Sequence, residues 1–510
     1  MRRFDLAVVG SGFGGALLAL AARRLGRSVV VLEKGAHPRF AIGESTSPLA
    51  NLLLERLALR YDLPQVLPLA KWGTWQARLP HLRGGVKRGF TFFHHRRGRE
   101  PLDEGELRNP LLVAASPNAA VADTHWYRAD VDLHLLEQAR AAGAEYVDRI
   151  ALDRFEADGK AVRLSGRRGG ERVDVEARWV ADASGPRGFL HGVLGLGESE
   201  FPGLPRTAAL YAHFRGVAPM TEIAPLSSPP PYPVDDAALH HVFEGGWIWV
   251  LRFADGTVSA GAMLSPELAL EVRAEEGEAA WRRLLKTFPA IDRQFRRAES
   301  LFPLRYSEKV AFRTTAASGP GWWMLPSAAA FVDPLLSTGI PLTLLGVARA
   351  AAALEESNGD AGFERSLAEL SARTLDEADS AASLVAALWR SFDDFPTFCA
   401  ATMLYFAAAS FGEASCRLGR DGLPGFLGSD RPPLRHAISE ALRSVDGDSS
   451  SAVGVIRRAI EPWNVAGLLD PARRNWYPVC ASDLREGASK LGASSIEVER
   501  LLERSGFGNG

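Results

Sequence analysis

The sequence predicts an α/β fold with a Rossmann-like domain, an inserted antiparallel β-sheet and a C-terminal helical region. Residues 4 to 34 alternate strand, helix and strand; residues 205 to 265 alternate polar and apolar side chains; and residues beyond 340 carry helical spacing. These three patterns are typical of an α/β domain that carries a second sheet and a helical extension. With 510 residues, the chain is long enough for two or three structural regions.

The first element is a strand at residues 4 to 9, which ends in the stretch VVGSGFGG. Gly10, Gly12 and Gly15 have GxGxxG spacing between this strand and an Ala/Leu-rich helix at residues 14 to 25. The first glycine permits a tight turn, the second lets the backbone approach a pyrophosphate, and the third lets helix and strand pack closely. Glu33 ends the second strand, where an acid accepts a ribose hydroxyl. This order of elements predicts a dinucleotide-binding site.

Strand-like alternation in HHVFEGGWIWVLRF and a Pro-rich loop at residues 225 to 234 predict the separate antiparallel sheet. LTLLGVARAAAALEE and the residues after it predict helices. The longest strongly apolar stretch, at residues 399 to 409, is shorter than the roughly 18 residues of a membrane helix. No transmembrane segment and no export signal are therefore expected.

The composition excludes several partners. Fifty-nine basic and 61 acidic residues leave a formal charge of -2, so no global field attracts nucleic acid or an anionic membrane. Cys399, Cys416 and Cys480 have no CxxC spacing, which predicts neither a disulfide framework nor a metal site. We expect a cytoplasmic protein with a small-molecule substrate; the oligomeric state is left open.

Three further stretches carry a family resemblance. HPRFAIGESTSP supplies Pro38, Arg39, Gly43, Glu44 and Ser45; FVDPLLSTG supplies Phe331, Pro334, Ser337 and Gly339; and WIWVLR contains a Trp-x-Trp pair. In these motifs the chain resembles the flavin-dependent halogenases, a tryptophan-halogenase-like superfamily, and most of all their phenol and phloroglucinol branch. The resemblance covers residues 1 to about 345.

The resemblance implies an enzyme that uses FAD, reduced by a partner flavin reductase, together with oxygen and a halide ion. It implies halide binding by Thr338 and Gly339, and a tunnel supported by Trp247, Trp249, Phe331, Pro334 and Ser337. The cofactor-binding residues that it implies, together with the fingerprint, are Gly10, Gly12, Gly15, Glu33, Lys34, Arg39, Ser45, Arg128, Asp182 and Asp333.

Lys87 is the predicted catalytic residue, because KRGFTF at residues 87 to 92 is similar to the family's lysine motif. The resemblance implies that hypohalous acid travels to this lysine and is relayed to the substrate. An amine can form a haloamine or donate a hydrogen bond to the oxidant when burial lowers its pKa, whereas arginine stays protonated. Lys71 in LAKWGTW is the rival for this role.

The substrate implied by the resemblance is an electron-rich phenolic ring, because Leu336 stands where tryptophan halogenases have a glutamate. His94, His95, His125, His240 and His241 are candidate partners for a phenol hydroxyl. The ring could be free or tethered on a carrier protein. The ring's identity, the position attacked and the choice between chloride and bromide are left open.

Two departures from the family keep alternatives open. Arg252 stands in place of a motif proline, and Ser327 follows Pro326 where many flavoproteins have an aspartate. An FAD-dependent aromatic hydroxylase is the first alternative, and a non-catalytic flavin-binding protein is the second. The expected domains are an FAD-binding domain at residues 1–80, 105–200 and 300–345, a sheet region at residues 81–104 and 201–299, and a helical region at residues 346–510.

Overall fold

The computed structural model describes residues 3–100, 109–226, 228–356, 359–420 and 422–507. Strands and helices both occur throughout these ranges, so the predicted α/β class is confirmed. The strands, numbered in chain order, are β1 (Arg3–Val9), β2 (Val29–Leu32), β3 (Gly84–Lys87), β4 (Gly89–His94), β5 (Leu111–Ala114), β6 (Asp123–Trp126), β7 (Glu145–Val147), β8 (Ile150–Ala157), β9 (Val162–Arg168), β10 (Glu171–Asp182), β11 (Glu198–Ser199), β12 (Ala208–Arg215), β13 (Ala238–Phe243), β14 (Gly246–Arg252), β15 (Val258–Leu264), β16 (Glu299–Ser300), β17 (Arg305–Ser307), β18 (Phe312–Thr314), β19 (Ser318–Gly319), β20 (Trp322–Met324), β21 (Ala330–Phe331) and β22 (Trp476–Tyr477).

Helices flank both sheets and make up most of the C-terminal part. In chain order they are α1 (Phe13–Arg24), α2 (Pro48–Arg60), α3 (Trp72–Arg78), α4 (Arg128–Ala141), α5 (Phe189–Val193), α6 (Met220–Ile223), α7 (Pro266–Glu271), α8 (Glu278–Lys286), α9 (Pro289–Phe295), α10 (Pro326–Ala329), α11 (Gly339–Glu356), α12 (Asp360–Arg390), α13 (Phe395–Arg417), α14 (Pro432–Arg443), α15 (Ser449–Ile460), α16 (Ala481–Glu486) and α17 (Ser495–Arg504).

The first sheet has the strand order β19-β20-β10-β1-β2-β7, with β8 and β9 continuing from β10. β1 lies between β2 and β10 and pairs in parallel with both. Every residue of β2 is buried, as expected for a parallel strand covered on both faces. α1 packs against α4 and α11 and is buried along most of its length. A parallel sheet with helices packed on it is the layer in which Rossmann-like folds bind dinucleotides.

The second sheet has the order β16-β12-β15-β14-β13-β4-β5-β22, with β17 beside β12. One face packs against α8 and α9, where Trp281 and Phe288 cover it. The opposite face carries Trp247, Trp249 and Met263 into the main core. β5 and β22 belong to this sheet, although the predicted domain boundaries assigned their residues to the FAD-binding and helical regions.

A separate two-stranded ribbon, β3 with β6, joins the two halves of the molecule. Its antiparallel register sets Lys87 opposite Asp123 and Gly84 opposite Trp126. Gly85 is required here, because a Cβ on it would lie 2.0 Å from the carbonyl oxygen of Arg252. The ribbon therefore holds Lys87 between the second sheet and the N-terminal residues.

The helical region packs onto both sheets through α11, α12 and α13. Among the described residues, α13 is the one helix whose length and hydropathy would suit a membrane span, and 67% of its most apolar window is buried inside the molecule. Core helices of globular proteins pass the same test. The apolar stretch at residues 399 to 409 forms the middle of α13, which continues to Phe395 on one side and Arg417 on the other.

Candidate active site

The glycine fingerprint forms the predicted turn between β1 and α1. Gly10 has φ +100°, a conformation that side chains rarely adopt. A Cβ on Gly15 would lie 2.1 Å from the carbonyl oxygen of Gly10, so only glycine lets the helix approach this turn. Gly12 faces a cavity of about 540 Å³ that the first sheet, β14 and α11 enclose. We call it the first cavity.

Glu33 ends β2 beside this turn and is fixed there by hydrogen bonds. Its carboxylate accepts bonds from the Ser11 amide at 2.9 Å, the Ser11 hydroxyl at 2.7 Å and the Gly35 amide at 2.9 Å. Burial opposes ionisation of this carboxyl, but Arg39 and the donors from Ser11 and Gly35 outweigh it and lower the pKa of Glu33. Glu33 is therefore a carboxylate at neutral pH.

Three predicted cofactor residues, Arg39, Ser45 and Arg128, line the first cavity. Arg39 Nε and Ser45 Oγ are buried and have no hydrogen-bond partner among the described residues. Arg128 makes two 2.8 Å bonds to the carboxylate of Asp132 and also donates to the carbonyl oxygens of residues 42 and 43. Nothing in the sequence marks Asp132 except its i,i+4 spacing from Arg128, which is a common helical ion pair.

Of three other predicted cofactor residues, Asp333 lines the first cavity, whereas Asp182 and Lys34 do not. Asp333 lines it and accepts bonds from the Leu335 amide at 2.9 Å and the Trp389 indole at 3.1 Å. Burial raises the pKa of Asp333 to about 7. Asp182 is buried behind the wall and holds the turn at Ser184. Lys34 is exposed and does not line the cavity.

The predicted halide segment lies on the cavity wall at the start of α11. Phe331, Pro334, Ser337, Thr338 and Gly339 all line the first cavity. Ser337 has φ +55°, a conformation that costs a non-glycine residue about 1–3 kcal/mol and is common at functional sites. It turns the chain so that the first amide groups of an 18-residue helix meet the cavity. A Cβ on Gly339 would meet no described atom within 4 Å.

Trp247 and Trp249 lie on one face of β14 and both line the first cavity, with ring centroids 5.8 Å apart. Arg252, the departure at the end of this motif, is directed elsewhere. Its guanidinium bonds Asp235 at 3.1 Å and the carbonyl oxygen of Val217 at 3.1 Å. Ser327, the second departure, lines the cavity at the start of α10.

Lys87 is completely buried. Its Nζ donates to the carbonyl oxygen of Thr46 at 2.5 Å and to Ser337 Oγ at 3.4 Å, and it lies 3.8 Å from the centroid of the Phe90 ring. Burial lowers the pKa of Lys87, and the charge of Asp123 opposes that shift. The amine therefore touches the first cavity's wall through Ser337 on one side and an aromatic ring on the other.

The rival lysine, Lys71, has a different environment. Its Nζ forms a 3.0 Å ion pair with Glu55, and its side chain is 29% exposed. A partly exposed ion pair of this kind is typical of a surface lysine. Lys87 is the lysine whose burial favours the neutral amine.

A second cavity, of about 200 Å³, lies on the Phe90 side of Lys87. Its walls are largely aromatic and apolar, and α13 and the residues after it supply many of them; they include Phe90, Tyr405, Phe406, Phe426 and Tyr477. Ser47, Asn51 and Asp123 supply polar groups on the same wall. Asn51 Nδ2 donates to Asp123 Oδ1 at 2.5 Å. No motif marks these residues, because the lining comes from segments far apart in the chain.

The five candidate histidines are buried, and none of them lines the second cavity. His240 lines the first cavity, while His95 and His241 bond each other at 2.9 Å behind the sheet. His94 bonds the carbonyl oxygen of Phe392 at 3.0 Å, and His125 that of Ala237 at 3.3 Å. Burial lowers the pKa of all five, so they are neutral. Among the described residues, no group of three His, Cys, Asp or Glu side chains is placed to hold a metal ion.

Comparison with known proteins gives the relatives of this chain. The family model for an NAD(P)-binding Rossmann-like domain matches residues 8–53. The chain is 30% identical to the tetracycline 7-halogenase of Kitasatospora aureofaciens over 353 residues, which are 67% of this chain and 61% of that protein. It is 28% identical to the monodechloroaminopyrrolnitrin halogenase PrnC of Pseudomonas fluorescens, covering 80% of this chain and 72% of that one.

Other relatives include a carrier-protein-dependent enzyme and solved structures. A 1H-pyrrole-2-carbonyl-[peptidyl-carrier protein] brominase of Pseudoalteromonas luteoviolacea is 26% identical, over 70% of this chain and 78% of that one. The crystal structure of halogenase PltM with phloroglucinol and FAD has a TM-score of 0.82 and 23% identity, covering 92% of this chain and 99% of that one. The structural likeness establishes the fold. The curated relatives are flavin-dependent halogenases, so the predicted resemblance is confirmed.

Proposed function

We propose that this homologue of the flavin-dependent halogenases is itself an FAD-dependent halogenase that acts on electron-rich phenolic rings. Reduced FAD from a partner reductase, oxygen and a halide ion supply hypohalous acid in the first cavity. Lys87 relays the halogen to a ring in the second cavity. The observation that carries this proposal is a fully buried lysine between the wall of one cavity and the aromatic lining of another.

The residues of the first cavity fit FAD. Arg39 Nε and Ser45 Oγ are buried polar atoms without a partner among the described residues, and a bound cofactor would satisfy them. Glu33 would accept the ribose hydroxyl, and the start of α1 at Gly12 would face the pyrophosphate. Arg128 and Asp333 would support the flavin end, Thr338 and Gly339 would bind halide, and Trp247 and Trp249 would wall the tunnel.

The role of Lys87 follows from the chemistry of an amine in a dry site. Burial lowers its pKa, so both the neutral amine and the ammonium are accessible near neutral pH. The amine can take up electrophilic halogen, and the ammonium can hold hypohalous acid by a hydrogen bond. Arginine could do only the second, because its guanidinium stays protonated.

A phenolic substrate suits the second cavity. Leu336, at the position where tryptophan halogenases have a glutamate, is buried and apolar and lines neither cavity, so it supplies no carboxylate to assist an indole ring. Phe90, Tyr405 and Phe406 offer aromatic faces against which a flat ring can pack. The crystal structure of PltM contains phloroglucinol, which is a phenol, and this supports a phenolic substrate.

The test is a coupled assay with a flavin reductase, NADH, FAD, oxygen and bromide. A panel of phenols, each supplied free and as a carrier-protein thioester, is screened by mass spectrometry. A monobrominated phenol with the bromine isotope pattern is expected. A hydroxylated product without bromine would instead support an aromatic hydroxylase. Bound FAD without turnover on any substrate would support a non-catalytic flavin-binding protein.

A further inference from the structure

We propose that Asp123 is the base that takes the hydroxyl proton of the aromatic substrate in the second cavity, and that Asn51 positions it. The inference rests on the proposed halogenase function and adds a second reacting group to it. It also identifies where the substrate's hydroxyl binds, since none of the five histidines lines this cavity.

The geometry places the carboxylate beside both the lysine and the cavity. Asp123 on β6 is directly opposite Lys87 on β3 in an antiparallel register. Residues opposite each other in such a pair have Cβ atoms about 4.5–5.5 Å apart and side chains on the same face. Asp123 also lines the second cavity, whereas Lys87 lies behind Phe90. A ring held on Asp123 would therefore lie within reach of the lysine.

The two oxygens of Asp123 differ in a way that leaves one for a ligand. Oδ1 accepts the 2.5 Å bond from Asn51 Nδ2. Oδ2 is buried and has no hydrogen-bond partner among the described residues. A buried carboxylate oxygen without a donor is costly and calls for a partner. A phenol hydroxyl in the cavity would supply that donor.

The charges around Asp123 are consistent with a proton acceptor. Lys87 faces it from β3, and Tyr405, Glu413 and Arg417 face it from α13. Arg417 already bonds Glu55 and Glu413 at 2.8 Å each, so its charge is compensated within that group. Burial raises the pKa of Asp123 and the charge of Lys87 opposes the shift. The ionised form of Asp123, which the neighbouring Lys87 ammonium favours, is the proton acceptor, and a raised pKa makes that form a stronger base for a phenol than an ordinary aspartate.

The proton transfers balance over one turnover. As a ring carbon bonds to the halogen of hypohalous acid, the halogen–oxygen bond breaks and the leaving hydroxide takes a proton from the Lys87 ammonium to give water. The phenol O–H bond breaks at the same time, and Asp123 Oδ2 receives that proton. The resulting dienone loses its ring proton to the Lys87 amine, and Asp123 returns its proton to the oxygen. Both side chains end as they began. The halogen accepts the electron pair of the ring carbon and becomes the aryl halide, and the oxygen of hypohalous acid leaves as water.

The experiment compares Asp123→Asn with wild type on three matched substrates: an electron-rich phenol, its methyl ether, and a more acidic phenol that is ionised at the assay pH. We expect Asp123→Asn to lower kcat/KM by about 10²-fold or more on the first, the usual contribution of a general base. The methyl ether and the ionised phenol should lose less than about threefold, because neither has a proton to give. The loss on the first phenol should shrink as the pH rises towards its own pKa.

Asp236→Asn is the matched control, because Asp236 is a half-buried carboxylate that lines neither cavity. Both variants should remain folded and should bind FAD with the wild-type affinity. An equal loss on the phenol and its methyl ether would overturn the proposal, since it would indicate that Asp123 acts through the charge of Lys87 or through the fold and not on the hydroxyl. Asn51→Ala removes the hydrogen bond to Asp123 Oδ1 and keeps the carboxylate. It should lose activity on the same substrates as Asp123→Asn, but by a smaller factor. Wild-type activity on all three substrates would show that Asn51 does not position Asp123.

The two proposals fail in different ways. If wild type halogenates no substrate and releases no hypohalous acid to a small thiol trap, the proposed function is wrong, and this inference falls with it. If wild type halogenates and the trap shows equal oxidant release from Asp123→Asn, any loss on the phenol is assigned to the substrate step. Reduced oxidant release from Asp123→Asn would contradict a role confined to the substrate.

Discussion

Replacement of Lys87 by methionine is expected to remove halogenation while leaving the fold in place. Methionine has a similar length, so the buried volume is retained. The change removes the 2.5 Å bond to the Thr46 carbonyl, and an unsatisfied buried carbonyl costs about 1–3 kcal/mol. The change also removes the free-energy cost of burying an amine, and this contribution stabilises the variant. We therefore expect the free energy of unfolding to change by no more than about 2 kcal/mol.

The catalytic loss should be larger than this change in stability. Loss of a group that transfers protons or halogen lowers the rate by about 10²–10⁴-fold, and 10³-fold corresponds to about 4 kcal/mol of transition-state stabilisation. The assay is the initial rate of bromophenol formation, measured beside the rate of NADH-dependent oxygen consumption. Oxygen consumption should continue, because it depends on the first cavity. Arginine at position 87 should be as inactive as methionine, because a guanidinium stays protonated at neutral pH and can neither accept halogen nor exchange a proton with the reacting groups.

Lys71→Met is the comparison for the same experiment. Lys71 lines the second cavity, but it is paired with Glu55, is partly exposed and does not contact Ser337 at the wall of the first cavity, so its replacement should keep at least a tenth of the wild-type rate. The reasoning would be refuted if Lys87→Met halogenated within tenfold of wild type, or if the Lys71 variant lost more activity than the Lys87 variant.

Three further predictions concern the first cavity. Because burial raises the pKa of Asp333 from 3.8 to about 7, its folded state holds a proton that the unfolded state releases, so stability should fall as pH rises from 4 to 7. Asp333→Asn should flatten this slope and gain up to about 4 kcal/mol over wild type between pH 4 and pH 8, measured by urea unfolding without FAD; parallel curves would contradict it. Gly339→Val should raise the KM for bromide at least tenfold by filling the helix start, and Gly339→Ala should do so less; unchanged bromide saturation would exclude halide from this site. Glu33→Gln should weaken FAD binding by about 1–2 kcal/mol in a fluorescence titration, and unaltered affinity would show that Glu33 does not contact the ribose.

Much of the nucleotide-binding end follows from the sequence, because its contacts are local. The turn at Gly10, the packing at Gly15 and the acid at Glu33 all fall within one β-α-β unit, where spacing along the chain determines position in space. The halide segment is likewise short and continuous. Lys34 illustrates the limit of such spacing, because the chain bends directly after Glu33 and leaves the Lys34 side chain exposed to solvent.

The second cavity does not follow from the sequence, because non-local packing creates it. Asp123 is opposite Lys87 only through the β3–β6 pairing, and Asn51 reaches it from α2. The joining of β5 and β22 to the second sheet depends on the same kind of long-range contact. The sequence also could not show that the Arg252 departure from the motif is harmless to both cavities. In the structure Arg252, at the end of β14, lies outside both cavities and donates hydrogen bonds to neighbouring loops.

The two cavities are lined by different parts of the chain, so mutations can change one without the other. The first cavity, where we propose that the oxidant forms, is built almost entirely from residues before 345, whereas α13 and the segments that follow it supply much of the lining of the second cavity. Mutations in the C-terminal part can therefore change which ring is accepted without disturbing the machinery that makes the electrophile. If the proposed function is right, a library confined to positions such as Phe406 and Leu427 changes the lining of the second cavity and leaves the first cavity as it is.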